Sequence, residues 1–311
     1  MQLRYGILST SSIAPRFIAA VRESGKGQIV ALSSRSQEKA QEKAHQWDIP
    51  TAYGSHEELL RDERVNIVYI SNVNSQHYPW AKAALLAGKH VICEKPCTVT
   101  QGQTKELYEL AEKQGIFFME AQKMLFLPAV LEAKKRLGEL GEIAMVELSH
   151  SFSPDYNDWV FSKEAGGGPL LTSGIYAVEL LYWMFGNIAE ISGKASLHPS
   201  GVEWQYILTG KTESGVLFCA KNTTNATLDN TCRIYGKRGT IELPSYWKAR
   251  KVICNIDGKA ETLEFPCQHE LVYEVRHIAD CIEKGRYSSP VITKELSTAA
   301  IAALEKVKNS W

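Results

Sequence analysis

Over the first 120 residues, short apolar runs alternate with stretches of helical periodicity. Residues 5–8 read as a buried strand, 13–22 as an amphipathic helix and 28–32 as a strand again. Residues 36–47, rich in Ala, Glu, Lys and Gln, predict a helix with Ser36 as its cap and Pro50 marking its exit. Ser55 with Glu58 three residues on has a capping-box pattern, and 65–70 follows as a buried strand. Residues 81–86 predict a helix with Gly88 at its end, 90–93 a strand, 100–113 a helix and 116–119 a strand. Such a rhythm builds βαβ units and a doubly wound parallel sheet. After a connecting helix at 128–137 the pattern changes to strands separated by turns, at 143–150, 188–197, 204–209, 215–220, 232–235, 240–243 and 252–256. A helix at 169–185 interrupts them, and helices at 269–284 and 293–308 close the chain. The expected fold is α/β: an N-terminal Rossmann domain, residues 1–122, then a C-terminal α+β domain, residues 123–311, on a mostly antiparallel open sheet.

Composition narrows the function. With 35 basic and 35 acidic residues the formal charge is zero, which disfavours a nucleic-acid binder, and 44% hydrophobic residues disfavour disorder. The most apolar window, 175–185, is interrupted by Glu179 and falls far short of the ~20 residues that cross a bilayer, so no membrane partner is expected. Met1 to Gly6 run into the first strand with no basic region, apolar stretch and cleavage site, so a mature cytoplasmic start is expected. Seven cysteines without CxxC spacing and eight histidines without an HExxH pair give no metal site; the cysteines read as small buried hydrophobes.

Two strand ends carry candidate chemistry. The loop after the first strand reads Gly6, Ile7, Leu8, Ser9, Thr10, Ser11, Ser12, Ile13, Ala14, with serines where a second and third glycine are expected of a phosphate-cradling turn. Its hydroxyls suit phosphate oxygens; the alternative is an ordinary polar turn capped by serine. The second strand ends in Ser33, Ser34, Arg35 and Ser36, with no acid before Glu38. An acid there would bind the ribose 2′-hydroxyl of NAD, whereas Arg35, with Ser34 and Lys39, suits the 2′-phosphate of NADP. A solvated arginine at a strand end is the alternative.

His90 to Cys97, with Glu94, Lys95 and Pro96 after a strand, resembles the Glu-Lys-Pro signature of the glucose-fructose oxidoreductase, inositol dehydrogenase and MocA (Gfo/Idh/MocA) family. Val73, Asn74, Ser75, Gln76 and His77 are similar to its Pro-Asn-x-x-His motif, and Gly166 to Tyr176 to its glycine stretch leading into the active-site helix. Residues 234–242 complete four motifs in order, spanning nearly the whole chain. The serine-bearing first loop and Tyr176 look most like the dihydrodiol dehydrogenase branch.

The resemblance implies reversible hydride transfer between NADP, with NAD possible, and a secondary alcohol or ketone of a carbohydrate-like or cyclic diol substrate. It implies a homodimer or homotetramer. Gly6, Ser9, Thr10, Ser11, Ser12, Ile13, Ser34, Arg35, Lys39, Ser71, Asn72, Asn74, His77, Glu94 and Lys95 are the expected cofactor-binding residues, and Lys95, Tyr176 and Thr172 the expected catalytic ones. A lysine between a buried strand and a proline is held on a short tether, where it polarises a carbonyl and stabilises an alkoxide. A cis Lys-Pro bond there fixes the ammonium near the cleft between domains. The alternative is a surface lysine paired with Glu94. In the helix at 169–185, Leu171, Ile175, Val178, Tyr182 and Phe185 form the expected core stripe, and Thr172, Tyr176, Glu179 and Trp183 a second face roughly 100° round. Tyr176 is then the proton donor or acceptor, or else a core aromatic. Thr172 stands where the family usually has aspartate, a departure that motivates the competing expectation of a non-catalytic NADP-binding sensor or interaction protein on the same fold.

Overall fold

Strands β1 (Arg4–Leu8), β2 (Gln28–Ser33), β3 (Ala52–Tyr53), β4 (Ile67–Ile70), β5 (His90–Glu94) and β6 (Phe118–Ala121) pair in parallel in the order β3-β2-β1-β4-β5-β6. The computed structural model describes residues 2–153 and 159–311; Met1, the first residue of the expected unprocessed start, lies outside the described residues. Between the strands run α1 (Ala14–Ser24), α2 (Gln37–Gln46), α3 (His56–Arg61), α4 (Asn74–Leu86) and α5 (Gln101–Gln114). Two caps fall where the sequence places them: Ser36 Oγ accepts from Lys39 N at 3.3 Å and Ser55 Oγ from Glu58 N at 3.2 Å. Helix α4 starts at Asn74, seven residues before its apolar periodicity begins, and carries Pro79 in its interior. The proline cannot donate to the preceding turn, which is why the sequence signal is weak there. Phe17 of α1 stacks on Tyr69 of β4 at 3.7 Å and meets Tyr5 of β1 edge-on, three fully buried rings at the sheet's centre. Burying each such side chain contributes roughly 1.5–3 kcal/mol.

The described chain separates into two units. The first holds the described residues up to Gln122 together with His269–Thr298, and the second Lys123–Gln268 with Ala299–Trp311. Helix α8 (Val272–Glu283) packs on α1 within the first unit, where Arg16 pairs with the largely buried Glu270.

The second unit carries α6 (Pro128–Lys135), β7 (Ile143–Ser151), α7 (Ile175–Phe185), β8 (Ile188–Leu197), β9 (Glu203–Thr212), β10 (Leu217–Thr223), β11 (Thr231–Gly236), β12 (Gly239–Pro244), β13 (Lys251–Ile256) and β14 (Lys259–Glu264); α9 (Lys294–Lys308), whose residues from Ala299 onward count with this unit, closes the chain. Its sheet runs β14-β13-β12-β11-β7-β10-β9-β8, antiparallel except for the parallel pair β7 and β10. The sequence pattern missed β14 because it is a polar edge strand without a buried face.

The helix expected at 169–185 is also corrected. It opens with a π-helical turn, Leu170–Gly174, before α7. The wider turn breaks the 100° phase on which two separate faces depended. Beyond it, Tyr176 is 8% exposed and Glu179 fully buried, so the face expected to be distinct from the core is packed as well. None of the seven cysteines is in a disulfide, and five of them are buried.

Candidate functional site

In the first unit the C-terminal ends of β1, β2 and β4 come together, as strand adjacency in this sheet order requires. Ser9, directly after β1, has φ of 110°, a conformation that favours glycine. Strain of that kind costs on the order of 1–3 kcal/mol and persists only where the surroundings fix it. Ser9 N donates to Ser33 O at 3.2 Å, and Ser11 Oγ donates to Ser71 Oγ at 2.8 Å, tying the loop to β2 on one side and to the end of β4 on the other. Thr10, Ser11 and Ile13 are half-buried and Ser12 exposed at the entry to α1, whose first turn carries no acid. A helix start without an acid is a favourable place for a phosphate. Gly6 lies inside β1, not in the loop; a Cβ there would come within 2.8 Å of Leu59 and 2.9 Å of Val65, so its bareness makes room for α3.

At the end of β2, Ser34 is buried with its N–H on Tyr53 O, while Arg35 and Lys39 are exposed. Among the described residues the Arg35 side chain takes part in no hydrogen bond or ion pair. Beside this end stands His56, the first residue of α3, 4% exposed. Its Nδ1 lies 2.8 Å from Ser33 Oγ and its Nε2 3.3 Å from Asn72 Nδ2, and Trp80 meets the ring edge-on at 4.7 Å. Burial pushes the imidazole down to about 4, with Glu57 opposing and the Arg35 charge reinforcing the shift. The ring is neutral at physiological pH. Sequence reading missed His56: it sits one place beyond the Ser55 cap, and its partners are 23 and 16 residues away.

Ser71, Asn74 and His77 are buried after β4. The His77 ring bridges two carbonyl oxygens, Pro96 O at 2.7 Å from Nδ1 and Asn72 O at 2.8 Å from Nε2. Burial lowers its pKa against the pull of those carbonyls. The Asn72 side-chain oxygen is buried and finds no hydrogen-bond partner among the described residues. After β5, Glu94 accepts from Tyr69 Oη at 2.6 Å and from Lys95 N at 3.3 Å, the Lys95-Pro96 bond is cis, and Cys97 N donates to Glu120 Oε1 at 2.9 Å. Three hydrogen bonds, at Lys95 N, Pro96 O and Cys97 N, therefore hold the backbone around Lys95, whose side chain is half-buried, and Tyr69 holds the Glu94 carboxylate that accepts the first of them. Glu120 is a second residue the sequence did not single out.

In the second unit, Gly168 has φ of 103°, and a Cβ there would collide with the carboxylate of Glu203. Glu203 Oε1 accepts from Leu170 N at 2.7 Å and anchors the start of the π-turn. Burial raises the Glu203 pKa, opposed by that backbone bond. Thr172 donates both N–H and Oγ1–H to Gly168 O at 3.0 Å, so its hydroxyl secures the turn and supplies no negative charge in place of an aspartate. Asn222 Nδ2 holds Ser173 Oγ at 2.6 Å one residue on. Gly174 admits the hydroxyl of Tyr206, which would lie 2.6 Å from a Cβ at that position. In the same unit His150 of β7 stacks on Trp247 at 3.9 Å, with Tyr246 and Phe152 beside it.

Residues 3–122 match the family described as oxidoreductase family, NAD-binding Rossmann fold, and residues 130–242 match the GFO/IDH/MocA C-terminal domain. The trans-1,2-dihydrobenzene-1,2-diol dehydrogenase of Mus musculus is 31% identical over 100% of this chain and 97% of its own length. The chain belongs to the Gfo/Idh/MocA family. Among solved structures, a 3-ketoreductase from Actinomadura kijaniata, KijD10, in complex with NADP and TDP-benzene, superposes with a TM-score of 0.90 at 22% identity over 99% of this chain and 98% of that one. Levoglucosan dehydrogenase, in complex with NADH and levoglucosan, gives 0.90 at 20% identity over 100% and 98%. As a Gfo/Idh/MocA protein the chain is an oxidoreductase with an NAD(P)-binding Rossmann fold, and the loop at Ser9, Arg35 and the Lys95 turn all lie in the nucleotide-binding match. Among the described residues no helix is long and apolar enough to cross a membrane.

Proposed function

We propose that this Gfo/Idh/MocA oxidoreductase is a cytoplasmic NADP-preferring dehydrogenase or reductase for a secondary alcohol or ketone of a carbohydrate-like or cyclic diol substrate. Residues 1–122 serve the nucleotide, and residues 123–311 serve the substrate and assembly into a homodimer or homotetramer. The turn after β5 carries the reading: a half-buried lysine stands on a backbone fixed by Glu94, His77 and Glu120, with Tyr69 holding Glu94, so its ammonium is carried on a fixed tether. Such a group is suited to stabilise charge developing on a carbonyl oxygen.

The strand ends fit a dinucleotide. A glycine-like turn at Ser9, an acid-free helix start and a buried acceptor on Asn72 without a protein donor suit a pyrophosphate and a ribose hydroxyl. The nicotinamide ring supplies or takes up the hydride when bound. Lys95 polarises the substrate oxygen, and Tyr176 gives the proton in reduction and receives it in oxidation. Preference for NADP rests on Arg35, exposed and uncommitted, with Ser34 and Lys39 beside it and no acid at the end of β2. The similar solved structures are described with NADP in one case and NADH in the other, so the fold alone does not choose. For the substrate, the dihydrodiol dehydrogenase relatives and the aromatic group of His150, Phe152, Tyr246 and Trp247 favour a cyclic diol.

A second reading, a nucleotide-binding sensor, is favoured by Thr172, whose hydroxyl is committed to Gly168. One screen separates the two. Polyols, sugars, diols and their ketones are offered with NADPH or NADP while absorbance and nucleotide affinity are followed. Turnover of a diol or ketone supports the enzyme, and tight binding with no turnover in any class supports the sensor.

A further inference from the structure

The three segments that make the nucleotide crevice of the first unit, 9–11, 33–34 and 71–72, converge on one residue that touches two of them from beneath. His56 Nε2 faces Asn72 Nδ2, so the amide N–H donates to the ring; the ring proton then sits on Nδ1 and is donated to Ser33 Oγ. This orientation leaves the Asn72 side-chain oxygen as a buried acceptor without a donor. It also fixes Ser33, whose carbonyl receives the N–H of Ser9, the residue held at φ 110°. A strained turn keeps its shape only if its anchors do, and here one anchor, Ser33, is held by the sheet through its backbone and by the imidazole through its side chain.

We propose that His56 is a positioning residue for the dinucleotide: it locks Ser33 so that Ser9 holds its glycine-like turn, and it orients Asn72 so that its oxygen accepts a ribose hydroxyl. The inference rests on the nucleotide reading above and deepens it. Ribose and pyrophosphate are common to NAD and NADP, so His56 governs affinity for both nucleotides equally, whereas Arg35 governs the difference between them. Burial keeps the ring neutral, which the chain of donors and acceptors requires.

The test uses the full-length protein with NADP(H) and NAD(H) as probes. His56→Phe keeps the ring beside Trp80 and removes both nitrogens. The dissociation constants of both nucleotides should rise about tenfold, the size of one net hydrogen bond, with kcat at saturating nucleotide within about twofold of wild type. Ser33→Ala removes the partner instead of the ring. It should give a loss of the same kind, not additive with His56→Phe. Ser9→Gly relieves the strain and should restore most of the lost affinity in the His56→Phe background. Nucleotide affinities unchanged by both single variants would overturn the role of His56, as would a loss that Ser9→Gly leaves untouched, which marks the ring as packing only. Failure of the wild-type protein to bind either nucleotide would instead overturn the nucleotide reading itself.

Discussion

Replacing Arg35 with alanine removes a guanidinium that lies exposed at the end of β2 and makes no hydrogen bond or ion pair among the described residues. The fold therefore loses almost nothing, and the melting temperature should stay within a degree or so, as for most surface substitutions. A charge-assisted contact to a phosphate contributes about 1.5–3 kcal/mol. Exposure to water and the neighbouring Lys39 place this one at the lower end, because solvent screens the pair and a second cation shares the load. About 1.5–2 kcal/mol corresponds to roughly 10–30-fold in affinity. NADPH binding should weaken by that factor and NADH binding by less than about twofold, since NADH has no 2′-phosphate for Arg35 to hold. Titration of each reduced nucleotide, followed by its fluorescence, measures both constants. The NADPH constant of the wild-type protein should also rise with salt more steeply than that of the variant. Equal loss for the two nucleotides, or no loss for either, would show that Arg35 does not read the 2′-phosphate.

Three other substitutions test the rest of the site. Lys95→Met should preserve nucleotide binding and lower kcat by about 10²–10³, the usual effect of losing one preorganised group at a developing oxyanion; near-normal kcat excludes the assignment. Tyr176→Phe should lower kcat by roughly 10²–10⁴ with nucleotide affinity unchanged. Retained turnover alongside inactive Lys95 variants means that the proton comes from Lys95 or water. Gly168→Ala, at φ 103° and against the Glu203 carboxylate, should destabilise the chain by at least about 2 kcal/mol in urea denaturation, from strain and the displaced Leu170 hydrogen bond; an unchanged midpoint contradicts the role given to Glu203.

The fold was legible wherever one face of an element is buried and its period is regular. Five of the six parallel strands and the caps at Ser36 and Ser55 follow from local pattern alone, whereas the two-residue β3 is too short to leave a periodic signal. Legibility failed where the physics is not local. Strand β14 has no buried face and is held by its pairing with β13 and by the Arg136–Glu261 ion pair, both brought together only in the folded chain. The first half of α4 is obscured by Pro79. The π-turn at Leu170–Gly174 is maintained by Glu203 and Asn222, neither close to it in sequence, so a calculation at 3.6 residues per turn assigns Tyr176 and Glu179 to a face that the structure buries.

The candidate site divides along the same line. Residue types at strand ends were readable because a doubly wound sheet gathers those ends, whatever lies between them. The supports were not, because His56 and Glu120 act through partners brought near only by the completed sheet. The first loop shows both effects in one place. Its missing glycines are plain in the sequence, and read alone they weaken the case for a phosphate site. The folded chain nevertheless gives Ser9 the glycine conformation and pins it to Ser33. The loss of glycine therefore leaves the turn in being and moves its cost into the scaffold, where Ser33, His56 and Asn72 must bear it. A loop of this kind should respond to substitutions beneath it more strongly than a glycine loop does, and coupling between positions 9 and 56 is the measurable form of that dependence.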